Sequence, residues 1–146
     1  MNTGLLHLHN ALRWVILISL LVSIYQLYAK KDALKTSKIL LISSHTTLLL
    51  GLYQYFFGPV GLKLIQAAGM GVAMKDATTR FWAVEHISSM LIAIALITIG
   101  HISYKKTQNG SKTTIFYVIA LLLIVLAMPW PFREGIGRPW FPGMAH

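Results

Sequence analysis

Four apolar runs of membrane-spanning length, separated by short polar breaks, constrain this chain more than any other feature. They extend from about Leu8 to Ala29, Thr36 to Phe57, Phe81 to Tyr104 and Thr113 to Met128. A hydrocarbon core about 30 Å thick is crossed by about 20 helical residues rising about 1.5 Å each. Leu, Ile and Val dominate the runs without the strict alternation of membrane strands, so helices are predicted. The expected fold is all-α, an integral-membrane up-down four-helix bundle forming a single domain over 1–146. Composition agrees: 12% of the residues are charged, about half the roughly 25% of a soluble domain. The first run is not a cleaved signal peptide. It is too long, lacks a basic n-region and runs into Lys30-Lys31 instead of a small-residue cleavage site. The absence of cysteine excludes disulfides, iron–sulfur clusters, thiolate zinc sites and CxxCH haem attachment.

The net charge of +9 is a topology signal. Basic residues scattered between long apolar runs build no nucleic-acid groove, and no nucleic-acid partner is expected. Lys30, Lys31, Lys35 and Lys38 flank the first break, and Lys105, Lys106 and Lys112 flank the third, where Asn109-Gly110 is a turn signal. An even number of spans puts both breaks on one side, cytoplasmic by the positive-inside rule. Both termini are then periplasmic, in a bacterial inner membrane. Trp14, Trp82, Trp130 and Trp140 fall at that opposite face, as an interfacial belt should. In the second connection, Leu62 to Ala68 suits a short interfacial helix, either capping the bundle or acting as a lid, with Gly69-Met70-Gly71 as a flexible sequel. Residues 129–146, rich in proline and tryptophan, read as a non-helical interfacial tail that lies along the headgroups or docks to a larger membrane complex.

Ionisable groups within spans are costly and so informative. Measured from each span's midpoint, His9 lies roughly 14 Å, Arg13 roughly 8 Å, Glu85 roughly 11 Å and His86 roughly 10 Å toward the tryptophan side. His45 comes within roughly 2 Å of the midplane, and His101 lies roughly 13 Å toward the lysines. Arg13 and Glu85 are thus expected counter-ions, and His9, Arg13, Glu85 and His86, with Arg80 a turn above, form one polar cluster. Two histidines on facing helices suit axial ligation of haem iron. Arg13 and Arg80 would then meet the propionates, and Glu85 would orient a ring nitrogen. A buried network that only fixes helix register, and a haem-free quinone or proton site using Glu85 and His86, are the other readings of the same cluster. His45 either hydrogen-bonds between helices, among Ser43, Ser44, Thr46 and Thr47, or replaces His9 as partner of His86. A second haem between His45 and His101 is poorly matched in depth. On the third span, Ser88, Ser89, Ala93, Ala95 and Gly100 allow close helix packing.

Three segments carry a family resemblance: Leu6-His7-Leu8-His9-Asn10-Ala11-Leu12-Arg13-Trp14, Met74 to His86 with Arg80-Phe81-Trp82-Ala83-Val84-Glu85-His86 at its end, and Pro129-Trp130-Pro131-Phe132-Arg133. Over essentially its whole length the chain resembles small four-helix membrane proteins of Bacteroidota commonly labelled "cytochrome B", with matches at His9, Arg13, His45, Arg80, Glu85 and His86. The resemblance implies an inner-membrane protein with b-type haem that transfers electrons with the quinone pool or a partner. Respiratory cytochrome b carries a histidine pair on each of two helices, and this chain lacks that arrangement. The expected role is electron carrier, or else accessory subunit of a larger complex, ahead of stand-alone enzyme. A homo-oligomer is a further expected form of partner.

Overall fold

The computed structural model describes residues 3–58 and 61–130, apart from the side chains of Thr3 and Leu6. In chain order the helices are α1 (Thr3–Tyr28), α2 (Leu34–Phe57), α3 (Leu62–Ala68), α4 (Met70–Lys75), α5 (Ala77–Arg80), a π-turn (Phe81–Glu85), α6 (His86–Thr107) and α7 (Gly110–Ala127). Among the described residues, four stretches are long and apolar enough to cross a bilayer. The chain is therefore a multi-pass, all-α membrane protein built as a four-helix bundle. Helix α1 packs on α2 and α7, and α6 packs on the same two, so α1 and α6 stand diagonally across the bundle. The helices run a few residues past most of the apolar runs, because a helix continues into the interface where only hydropathy changes.

The buried positions explain the bundle. On α2 and its N-cap they include Ala33, Ser37, Leu40, Ser44 and Thr47, with Ser43 beside them; on α6, Ala93, Ile97, Gly100 and Tyr104, with His101 beside them; on α7 they are Thr113, Tyr117, Ala120, Ile124 and Ala127. Steps of four and three are the heptad spacing of a left-handed bundle. Most of these residues are small or carry hydroxyls, which lets backbones approach closely in lipid. At Gly100 an added Cβ would stand 2.9 Å from Cε1 of Tyr117. Of the small residues expected to serve α6, Ala93 and Gly100 do so, whereas Ser88 and Ala95 are exposed. Bulky aliphatics such as Ile18, Leu49, Leu122 and Leu126 point outward, where hydrocarbon is their solvent.

At the lysine end α1 and α6 stop on residues in the left-handed region, Lys30 at φ 58° and Gln108 at φ 56°. Asn109 caps α7 by accepting from the Ser111 amide at 3.0 Å, so Gly110 opens a helix where a turn was expected. The Tyr104 hydroxyl ties this end together, accepting from the Ala33 amide at 3.2 Å and donating to Asp32 Oδ1 at 3.3 Å.

At the opposite, tryptophan end, α3 forms where expected. Gly69, at φ 83°, breaks the chain once, but Met70 and Gly71 start α4 instead of forming a flexible link. Asp76 caps α5 through Thr79, whose hydroxyl and amide hold the carboxyl below the usual aspartate range. The tail from Pro131 onward, with Trp140, lies outside the described residues.

Candidate functional site

His9 and His86 face each other at the tryptophan end, with ring centroids 6.4 Å apart and planes inclined by 50°. They come from the diagonal pair of helices, so their rings meet across the bundle. Two neighbours set their positions. Gly51 on α2 offers no side chain to His9, and a Cβ there would stand 3.5 Å from the imidazole Nε2. His86 donates from Nδ1 to the Ala127 carbonyl at 2.8 Å. That carbonyl belongs to the last residue of α7, where intrahelical donors run out and Pro129 supplies none. The bond fixes the tautomer of His86 and assigns the lone pair to Nε2.

Arg13, one helical turn below His9, is buried at 7% exposure. It donates to Asn10 Oδ1 at 2.9 Å and lies 5.0 Å from the centroid of Trp14. Trp14 meets Trp130 edge-on at 6.3 Å, and Phe81 and Trp82 stand 5.7 and 5.8 Å from His86. The site thus combines imidazoles and a guanidinium with an aromatic surround.

Glu85 is not part of the interior cluster. It pairs with Arg80 at 3.0 Å, and both side chains are substantially exposed. Arg80 also donates to the Met74 carbonyl at 3.1 Å. The π-turn is the reason. Its wider winding brings residues five apart onto one face, so Arg80 and Glu85 meet on the surface while His86 turns inward. The expected Arg13–Glu85 pair is therefore replaced by Arg80–Glu85, and the carbonyl of Ala127, not Glu85, orients His86. A double-mutant cycle on Arg80 and Glu85 should give a coupling of about 0.2–1 kcal/mol, as for exposed ion pairs. The same cycle on Arg13 and Glu85 should be additive; unfolding in detergent checks both.

The remaining sequence candidates lie elsewhere. His45 is exposed and hydrogen-bonds across helices from Nε2 to Thr98 Oγ1 at 2.9 Å. Thr98 is twelve residues beyond His86 on α6, about 18 Å along the axis, so His45 and His86 do not meet. His101 is buried near the lysine end, 2.6 Å from Ser37 Oγ through Nδ1. With His45 turned toward Thr98, the two do not frame a second haem.

Gly51, Ala127, Tyr55 and the π-turn escaped the sequence reading. Tyr55 donates to the Ala83 carbonyl inside the π-turn at 2.7 Å and packs under Gly61. Gly61 adopts φ 110°, and a side chain there would collide with Tyr55. A lone glycine within the leucine-rich second span was the one available signal for Gly51. A backbone carbonyl leaves no trace in side-chain identity.

These features define a class: a membrane four-helix bundle with an imidazole pair opposed across its core. Comparison with family models, with curated proteins and with solved structures finds no match.

Proposed function

We propose that this protein is a b-type cytochrome-like membrane protein that holds haem between His9 and His86 for electron transfer with the quinone pool or a membrane partner. The observation carrying the reading is the opposed imidazole pair, with His86 oriented by the Ala127 carbonyl. Ring centroids 6.4 Å apart are close enough for both imidazoles to reach one metal ion. A backbone carbonyl on the distal ring nitrogen is one of the partners that a metal-bound histidine takes, with carboxylate and water. Among the described residues no third histidine or carboxylate joins the pair, and two imidazoles are the donor set of a six-coordinate haem iron.

In this reading His86 and His9 would hold the haem iron, and Arg13, one turn below His9, would supply positive charge for a haem carboxylate. Arg80 holds Glu85 at the rim. Haem, when bound, supplies one-electron transfer. The chain's own residues fix the imidazoles, and the aromatic side chains around them exclude water. By the positive-inside rule the site lies in the periplasmic half of the inner membrane.

The test is a spectrum of the full chain purified in mild detergent after expression with haem available. A Soret band, and a sharp α band on dithionite reduction, are expected. A colourless, folded protein would overturn the proposal.

A further inference from the structure

A second polar layer crosses the bundle at the lysine end. His9 lies against Gly51, which sets the register of α1 on α2. Moving 14 residues along each antiparallel helix pairs Ser23 with Ser37. Ser37 in turn contacts His101 at 2.6 Å, and Thr113 donates to the Gly100 carbonyl at 2.9 Å beside them. The Tyr117 ring packs on Gly100, and its hydroxyl faces Ser37 without completing a hydrogen bond. Four helices thus contribute Ser23, Ser37, His101 and Tyr117 to one level. All four are buried, with Ser23 and Tyr117 at 0% exposure.

The hydroxyls of Ser23 and Tyr117 have no partner among the described residues. Ser44 is likewise without a partner, although a serine in a membrane helix can return its proton to the carbonyl four residues back. Ser19, Ser43, Thr47 and Thr98 all do so, at 2.6 to 2.8 Å. Ser23 makes no such bond and lies, by the register of the helices, near the level of Tyr117. A buried polar space offering two to four hydrogen-bonding groups is where proteins hold water. Toward the bundle's middle this space is closed by Leu20, Leu40 and Ile97, each at 0% exposure. Toward the lysine loops it is capped by Tyr104, hydrogen-bonded to Asp32. The charges of Lys105 and Lys38 reach His101 from the lysine side.

We propose that this layer is an internal water site, in which bound water bridges the Ser23 and Tyr117 hydroxyls to the Ser37–His101 pair. The proposal does not depend on haem. Radiolytic hydroxyl-radical labelling of the full chain in detergent, read by mass spectrometry, tests it, because radicals form at bound water and label adjacent side chains. Tyr117 should be oxidised despite its complete burial, whereas Leu40 and Ile97 should not. After brief mixing into ¹⁸O water, part of the label on Tyr117 should remain ¹⁶O, from water already in place. Ser23→Ala, folded by circular dichroism, should lower Tyr117 labelling several-fold. Labelling of Tyr117 at the level of Ile97, or an unchanged rate in Ser23→Ala, would overturn it.

Discussion

His86→Ala should abolish the haem Soret band of the purified protein, lowering haem affinity by at least about 100-fold, beyond the roughly 10–100-fold that follows loss of an outer partner. The expectation follows from the placement of His86 at the first turn after the π-turn, held by Ala127 and flanked by Phe81 and Trp82. Alanine removes the imidazole and also leaves the last carbonyl of α7 without that donor. His9→Ala should lose the band as well, since its ring is the opposing member of the pair. His45→Ala and His101→Ala should keep it, because their imidazoles bind Thr98 and Ser37, away from the pair. Absorbance spectra of the four variants, normalised to folded protein, check the whole pattern. A Soret band that survives in both His86→Ala and His9→Ala would refute the ligand assignment.

Gly100→Leu should be strongly destabilising. Even a Cβ at this position would stand 2.9 and 3.3 Å from Tyr117 ring carbons and 3.5 Å from Phe116 Cβ. Tyr117 is fully buried, so its ring moves aside only by displacing other interior groups. Forcing extra methylenes into a packed core costs about 1–3 kcal/mol, and leucine adds several where α6 packs on Tyr117 of α7. The substitution should also separate Thr113 from the Gly100 carbonyl it satisfies. Gly71→Ala is the control, since nothing lies within 4 Å of its added Cβ. Thermal unfolding in detergent should show a large fall for Gly100→Leu and none for Gly71→Ala. Adding Tyr117→Ala to Gly100→Leu should recover part of the loss.

What could be read from the sequence was height, and what could not was direction. Span limits and a rise per residue placed His9 and His86 at one level, and their rings meet. The same ruler put Arg13 and Glu85 together, yet Glu85 points to the surface, because five residues of π winding rotate it toward Arg80. Nothing in Phe81-Trp82-Ala83-Val84-Glu85 announces that winding. The inward faces were also hidden from hydropathy, since lipid and protein interior are both apolar. They are marked instead by small and hydroxylated residues in steps of four and three, as in Ala33, Ser37, Leu40, Ser44 and Thr47. Gly51 and Gly100 matter for what they leave out, and only the neighbouring helix shows what fills the gap.

The two polar layers are 14 residues apart on each long helix, His9 to Ser23, Ser37 to Gly51, His86 to Gly100 and Thr113 to Ala127, a separation of about 21 Å. The apolar level of Leu20, Leu40 and Ile97 lies between them. In a bilayer core of about 30 Å, a span of about 21 Å takes some two thirds of a transmembrane voltage that falls evenly across the core. A charge placed on one layer therefore differs in energy from a charge on the other by about 1.6 kcal/mol for each 100 mV. The histidine pair is electrically tied to the face carrying the tryptophans and insulated from the face carrying the lysines.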